Sequence, residues 1–205
     1  MRWPTSSGIS TPSWKWCSEV AVWLTDGQYR IVQAVCARLI PTDQDPGATE
    51  AGVVDYIDGL LGAFSFDPPR IWAGGPFSGR TGGDGAFASF HRLGPLDELA
   101  WRTRIEGSRG LPEREWNGPV RGLQEIYAEG LDRLGADFAD AGGDEQDRRL
   151  RADEEFTRQV YGHACEGMYG APEYGGNRAG LGWAYIGFEG DVQPRGYSDE
   201  EVSGP

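Results

Sequence analysis

Between Thr25 and Ile40 the apolar positions Ile31, Val32, Val35, Cys36, Leu39 and Ile40 recur at intervals of three and four, the spacing that lines one face of an α-helix. Thr25 stands where an N-cap belongs, and Gln28 three residues on completes a capping box. Pro41 lacks an N–H and disfavours a helical residue before it, so it ends the element. After the turn-forming TDQDPGA, Thr49 is the expected cap of a second helix, with Glu50 in its first turn and Val53, Val54, Ile57, Leu60, Leu61 and Phe64 as its stripe. Two such helices joined by a short loop predict an antiparallel hairpin.

Periodicity is lost across residues 65–90, where Pro68, Pro69, Pro76 and six glycines exclude a helix or a central strand. Ile71, Trp72, Phe77, Phe87 and Phe90 lie within this long loop and predict that it is pinned against something apolar. Helical spacing resumes after Gly94 and Pro95, with Leu96, Leu99, Ala100 and Ile105 as the expected inner face. Pro119 is placed to open a further helix, in which Leu123, Ile126, Tyr127, Leu131, Leu134 and Phe138 keep the period for about five turns. An acidic turn, AGGDEQD, then leads into a last helical stretch that carries Phe156, Val160, His163, Ala164 and Gly167.

No alternating run is long enough to build a sheet, and no internal repeat is present. The expected class is therefore mainly α: a single irregular helical domain over 25–191, with long Gly/Pro/aromatic loops, an extended N-terminal arm over 1–24 and an acidic tail over 192–205.

Charge narrows the function. The 205 residues carry a net charge of -13 with Lys15 as the sole lysine, which leaves no basic stripe to neutralise a phosphate backbone. The same acidity repels an anionic membrane leaflet, and no apolar run approaches the roughly 20 residues that span a bilayer. The first residues show no paired arginines and no apolar core before a cleavage site, and Cys17, Cys36 and Cys165 are too few for a disulfide scaffold; the expected location is a reducing cytoplasm. Eight Trp, eight Tyr and eight Phe in a chain of mean hydropathy -0.51 exceed what a modest core requires and point towards an interface.

The glycine-rich run YGAPEYGGNRAGLGWAYIGFEGD, residues 169–191, poses the choice between phosphate binding and docking. Gly180, Gly182 and Gly187 are spaced G-x-G-x-x-x-x-G, which is not the dinucleotide fingerprint, and no phosphate loop with its lysine exists. Tyr169, Tyr174, Asn177, Trp183, Tyr185 and Phe188 suit a run whose glycines turn tightly while its aromatics pack or dock. His163 and Cys165 form H-x-C, but residues two apart on a helix point about 200° away from each other, which opposes a shared metal ion. Cys165 lacks an evident base, and the carboxylate pairs Glu154–Glu155, Asp43–Asp45 and Glu200–Glu201 read as solvated faces, so no catalytic set stands out.

Two blocks carry a resemblance. Arg38–Pro41 reads R-L-I-P, Pro46–Ala48 reads P-G-A, and Glu50–Asp58 reads E-A-G-V-x-D-Y-I-D; later, Tyr174–Asn177 reads Y-G-G-N, Gly180–Trp183 reads G-x-G-W, and Gly187–Gly190 reads G-F-x-G. The chain thereby resembles the gluconate 2-dehydrogenase subunit 3 family. That resemblance implies a small subunit without its own cofactor, bound to a large FAD-dependent dehydrogenase of the glucose-methanol-choline (GMC) type that oxidises sugars or related alcohols. Such subunits are associated with maturation, stability and in some cases export of the flavoprotein. Many relatives bear a twin-arginine leader, which these first residues do not show. The expected partner-binding residues are Trp72 and Phe77 in the long loop and Tyr169, Tyr174, Asn177, Trp183 and Phe188 in the glycine-rich run, with no catalytic, cofactor-binding or metal-binding residue in this chain. The competing expectations are a free-standing enzyme or metal protein using His163 and Cys165, and a general chaperone-like interaction module.

Overall fold

A computed structural model describes residues 21–73 and 90–188. Among these residues there are seven α-helices and no strand, the mainly α class that the periodicity predicts. They are α1 (Asp26–Leu39), α2 (Val53–Leu61), α3 (Pro95–Glu106), α4 (Leu123–Leu134), α5 (Gly143–Ala152), α6 (Glu154–Tyr169) and α7 (Leu181–Ile186), with short 3₁₀ turns between them.

Helix α6 is the hub and packs against α1, α2, α4, α5 and α7. Its inner face brings Phe156, Val160, Ala164 and Met168 into a core shared with Ile31 and Val35 of α1, Ile57 and Leu61 of α2, and Tyr127 and Leu131 of α4. Phe156 meets the Tyr127 ring edge-on, with centroids 5.5 Å apart, a geometry favoured by the aromatic quadrupole. Gly130 makes that possible, since a Cβ there would lie 2.3 Å from the Phe156 ring.

The capping box of α1 forms as read: the Thr25 hydroxyl accepts from the Gln28 N–H, and the Gln28 side-chain Oε1 accepts from the Thr25 N–H. Preceding it, the buried Asp58 carboxylate of α2 accepts three successive backbone N–H groups, from Val22 at 2.5 Å, Trp23 at 2.9 Å and Leu24 at 2.8 Å. The end of the N-terminal arm is thus tied to the core by one side chain.

Several boundaries differ from the sequence expectation, each for a physical reason. Thr49 does not cap α2; Gly52 does so in the left-handed region at φ 66°, and Glu50 turns back to accept from the Thr42 hydroxyl and the Gly47 N–H. In α3 only Ile105 is buried, while Leu96 is 81% exposed and Ala100 is exposed. Nine residues are two and a half turns, so Leu96 and Ile105 stand on opposite faces, and Trp101 packs inward instead. Helix α4 starts after Gly122 rather than at Pro119 and stops at Gly135, whose φ of 91° a helix cannot continue. Phe138 reaches the core from the 3₁₀ turn that follows. The expected acidic turn is the first turn of α5, where Asp144 and Glu145 face the positive end of the helix dipole and Glu145 pairs with Arg148 and Arg149. Asp153 leaves helical geometry and caps α6 by accepting from the Phe156 N–H, splitting the last stretch into two helices.

Candidate partner-docking face

The two signature blocks meet at Arg178, and the later block is tied to α6 by Asn177. Its backbone lies in the left-handed region at φ 45°, a conformation asparagine tolerates better than most residues. Fully buried, it uses its amide completely inside the chain: Nδ2 donates to the Gly170 carbonyl at 2.8 Å, and Oδ1 accepts from the Gly182 N–H at 2.7 Å. Its own N–H donates to the Gly167 carbonyl at 2.6 Å. The amide of Asn177 therefore serves the fold and presents nothing to an outside surface.

Glycines let this segment lie backbone against backbone on α6. A Cβ at Gly176 would sit 2.1 Å from the Gly167 carbonyl oxygen, and one at Gly182 would sit 1.9 Å from that of Met168. From the earlier block, the Ala51 carbonyl accepts the Arg178 N–H at 3.0 Å, and the Asp55 carboxylate takes the Arg178 guanidinium at 2.6 Å. Asp55 also accepts the Tyr29 hydroxyl at 2.5 Å; burial, with that hydrogen bond, pushes the phenol pKa upward. Tyr185 reaches Asp45 at 3.2 Å, whose charge raises the phenol pKa. The motifs separated by over a hundred residues form one interlocked platform.

Of the residues expected at a partner surface, Trp183 is half-buried, donating Nε1–H to the Tyr169 carbonyl at 2.7 Å and meeting Phe188 edge-on at 5.1 Å. Tyr169 is half-buried against the core, and Tyr174 accepts the Ala73 N–H at 2.9 Å while its ring meets Phe90 edge-on. Phe188 is 47% exposed and Trp72 is 49% exposed. Phe77 lies outside the described residues, as does most of loop 65–90. The structure adds Ile186, 55% exposed at the end of α7, which the sequence reading passed over because the glycine-rich run was read as loop throughout. Six residues of helix between Gly180 and Gly187, both left-handed, leave one apolar turn facing outward.

Two concavities lie nearby. One, of about 310 Å³, is lined by Tyr56, Leu60, Ile71, Trp101 and Tyr174 and is mostly apolar. The other, of about 280 Å³, is polar and includes Arg104, Arg158, Gln159, His163 and Glu166. His163 turns inward: its Nε2 lies 3.0 Å from the Gln159 side-chain amide and its Nδ1 lies 2.9 Å from the Tyr127 hydroxyl, so both ring nitrogens are hydrogen-bonded within the fold. Burial pushes its pKa below the ordinary value. Cys165 is half-exposed on another face, and Cys36 is buried, its thiol pushed up to about 12 by desolvation. Among the described residues no group of three or more His, Cys, Asp or Glu converges as a metal would require. None of the described helices is long and apolar enough to cross a membrane.

Asp58 was the functional side chain of the fold that the sequence reading overlooked. A signal existed: it lies four residues from Val54 and three from Leu61, on the buried stripe of α2, where an acid needs partners. Comparison with protein families matches residues 26–190 to the family described as gluconate 2-dehydrogenase subunit 3. No curated protein and no solved structure gives a significant match.

Proposed function

Because the chain belongs to the gluconate 2-dehydrogenase subunit 3 family, we propose that it is the non-catalytic small subunit of a dehydrogenase complex, binding and stabilising or maturing an FAD-dependent catalytic subunit of the GMC type. The FAD and the chemistry belong to that partner, and the substrate class is a sugar or related alcohol.

One observation carries the reading. The two motif blocks are joined by Arg178, bonded to Asp55 and to the Ala51 carbonyl, while Asn177 ties the start of α7 to Gly167 and Gly170 at the end of α6, and so α7 is braced with Ile186 and Phe188 outward. A braced apolar edge of this kind suits a docking face, because little side-chain entropy remains to be lost on association. An acidic exterior further suits a partner with a basic face, since complementary potentials speed encounter.

Co-expression with a GMC-type flavoprotein dehydrogenase from the same source, followed by gel filtration with the flavin absorbance monitored, tests the proposal. A yellow complex containing both chains is expected, together with loss of soluble or flavin-loaded dehydrogenase when this chain is omitted. Two separate peaks, with flavin content and activity unchanged by omission, would overturn it.

A further inference from the structure

The loop between α3 and α4 holds the most exposed large apolar side chain among the described residues. Trp116 is 91% exposed, and it occupies the turn closed by the Gly118 N–H donating to the Glu115 carbonyl at 2.9 Å. Leaving an indole in water forgoes the large stabilisation its burial would bring, so a tip built this way needs an explanation outside the monomer.

The loop beneath it is braced rather than loose. Ser108 is buried; its N–H donates to the Val120 carbonyl at 2.9 Å, and its hydroxyl accepts from the Val120 N–H at 3.0 Å, closing the base of the loop. There the chains approach so closely that a Cβ at Gly122 would fall 2.2 Å from the Gly107 nitrogen. Arg114 crosses the interior, donating to the Gly107 carbonyl at 3.0 Å and pairing with Glu106 at 2.9 Å, both side chains largely buried. Glu106 is held in turn by Arg102 at 2.9 Å. The indole is therefore displayed on a preorganised mount, which lowers the ordering cost of inserting it into a pocket.

Charge identifies the occupant. Glu113 and Glu115 flank the tip and enter no ion pair among the described residues, while the loop's Arg114 is taken up by Glu106, its Arg121 by Glu129, and its Arg109 hydrogen-bonds the Glu106 carbonyl and Gln124 on the side of the loop away from the indole's turn. An anionic leaflet would repel such a tip, and so would a second copy of a chain whose net charge is -13. We propose that Trp116 is an anchor that inserts into an apolar pocket with a basic rim on the dehydrogenase's catalytic subunit, forming a contact separate in sequence from the α7 edge. The inference rests on the accessory-subunit reading above.

The test measures the dissociation constant between the purified flavoprotein and wild-type chain, Trp116→Ala, Trp116→Phe, and the double reversal Glu113→Lys/Glu115→Lys. Trp116→Ala is expected to weaken binding by about thirty-fold or more, as central tryptophan anchors do, with Trp116→Phe recovering much of the loss and an unchanged urea midpoint. The charge reversal is expected to weaken binding independently of the ring, with a smaller effect at high salt. Wild-type binding with Trp116→Ala equally tight would overturn the anchor and leave the subunit reading intact. No binding by the wild-type chain would overturn both. Wild-type dimerisation, or binding to phosphatidylcholine vesicles, that Trp116→Ala abolishes would overturn the assignment in favour of a self-contact or a membrane.

Discussion

Arg178 reaches across 123 positions of sequence to place its guanidinium 2.6 Å from the Asp55 carboxylate. The pair joins the two motif blocks, but the arginine side chain is 58% exposed, so solvent screens much of its Coulomb energy. Arg178→Ala should therefore cost only about 1 kcal/mol in urea unfolding. Asp55→Ala should cost more, because it also strands the Tyr29 hydroxyl. A double-mutant cycle is expected to return a coupling of roughly 0.5–1 kcal/mol, and a value near zero would show that Arg178 acts through packing on Gly52 alone.

Two glycines should respond in opposite directions to the same substitution. At Gly176 a methyl would meet the Gly167 carbonyl oxygen at 2.1 Å, and backbone on both sides cannot yield without lifting the segment off α6. Gly176→Ala is expected to destabilise by about 3 kcal/mol, the upper end of overpacking costs. Gly162 lies within α6 with nothing within 4 Å of the added carbon, so Gly162→Ala should stabilise by about 0.5–1 kcal/mol through helix propensity and a stiffer unfolded chain. Thermal unfolding of both variants beside the wild type reads the signs directly.

The fold was legible where one local rule decided it. The stripe and capping box of α1 depend only on nearby residues, and they appear as read. Prediction failed where a distant group intervened. Glu50 is a good first-turn residue, yet its carboxylate serves Thr42 and Gly47, and α2 begins later, at Val53 after its cap Gly52. The inner face of α3 was drawn from apolar residues alone, whereas its neighbours lie on the Trp101 and Ile105 side. At the candidate site, aromatic content marked the glycine-rich segment but could not separate residues that hold it together from those left outside. Asn177 and Trp183 belong to the first kind, through bonds to Gly170, Gly182 and Tyr169 that no spacing rule reveals.

His163 should give the protein a measurable pH dependence. Its neutral ring is buried between Tyr127 and Gln159, with Arg104 and Glu166 nearby, and burial holds its pKa below the ordinary 6.5. In the unfolded chain the imidazole takes up a proton below about 6.5, while the folded state resists doing so. The stability from this residue is thus present above that value and is lost as pH falls from there towards the lower folded pKa, at a rate of up to about 1.4 kcal/mol per pH unit. Urea midpoints at pH 7.5 and 5.0 should fall less for His163→Gln than for the wild type. Equal falls would mean that the carboxylates alone set the acid response.

Asp58 anchors the arm that precedes α1, and its removal should be felt there first. Three backbone donors converge on one buried carboxylate, and hydrogen bonds to charged groups contribute about 1.5–3 kcal/mol each before the cost of stranded donors is counted. Asp58→Asn keeps the shape but turns one acceptor into a donor facing N–H groups, so a loss of about 2–4 kcal/mol is expected. Hydrogen exchange should show the amides of Val22, Trp23 and Leu24 losing protection. Full protection in the variant would sink the anchor assignment.

The edge of α7 allows binding and folding to be separated. Ile186 is 55% exposed, so Ile186→Asp should leave the unfolding midpoint within about 0.5 kcal/mol of the wild type. If the edge docks the catalytic subunit, the same change buries an unpaired charge in the interface and should weaken the complex by roughly 2 kcal/mol or more. Trp183 differs, because its indole N–H holds the Tyr169 carbonyl and its ring packs on Phe188. Trp183→Ala is therefore expected to lower both stability and affinity. Tyr161, 49% exposed on α6, supplies the control: Tyr161→Ala should change neither by more than about 0.5 kcal/mol. Affinity by titration calorimetry against the flavoprotein, paired with urea unfolding of each free variant, resolves the cases. An Ile186→Asp chain that binds as tightly as the wild type would remove α7 from the interface and leave its platform a purely structural device.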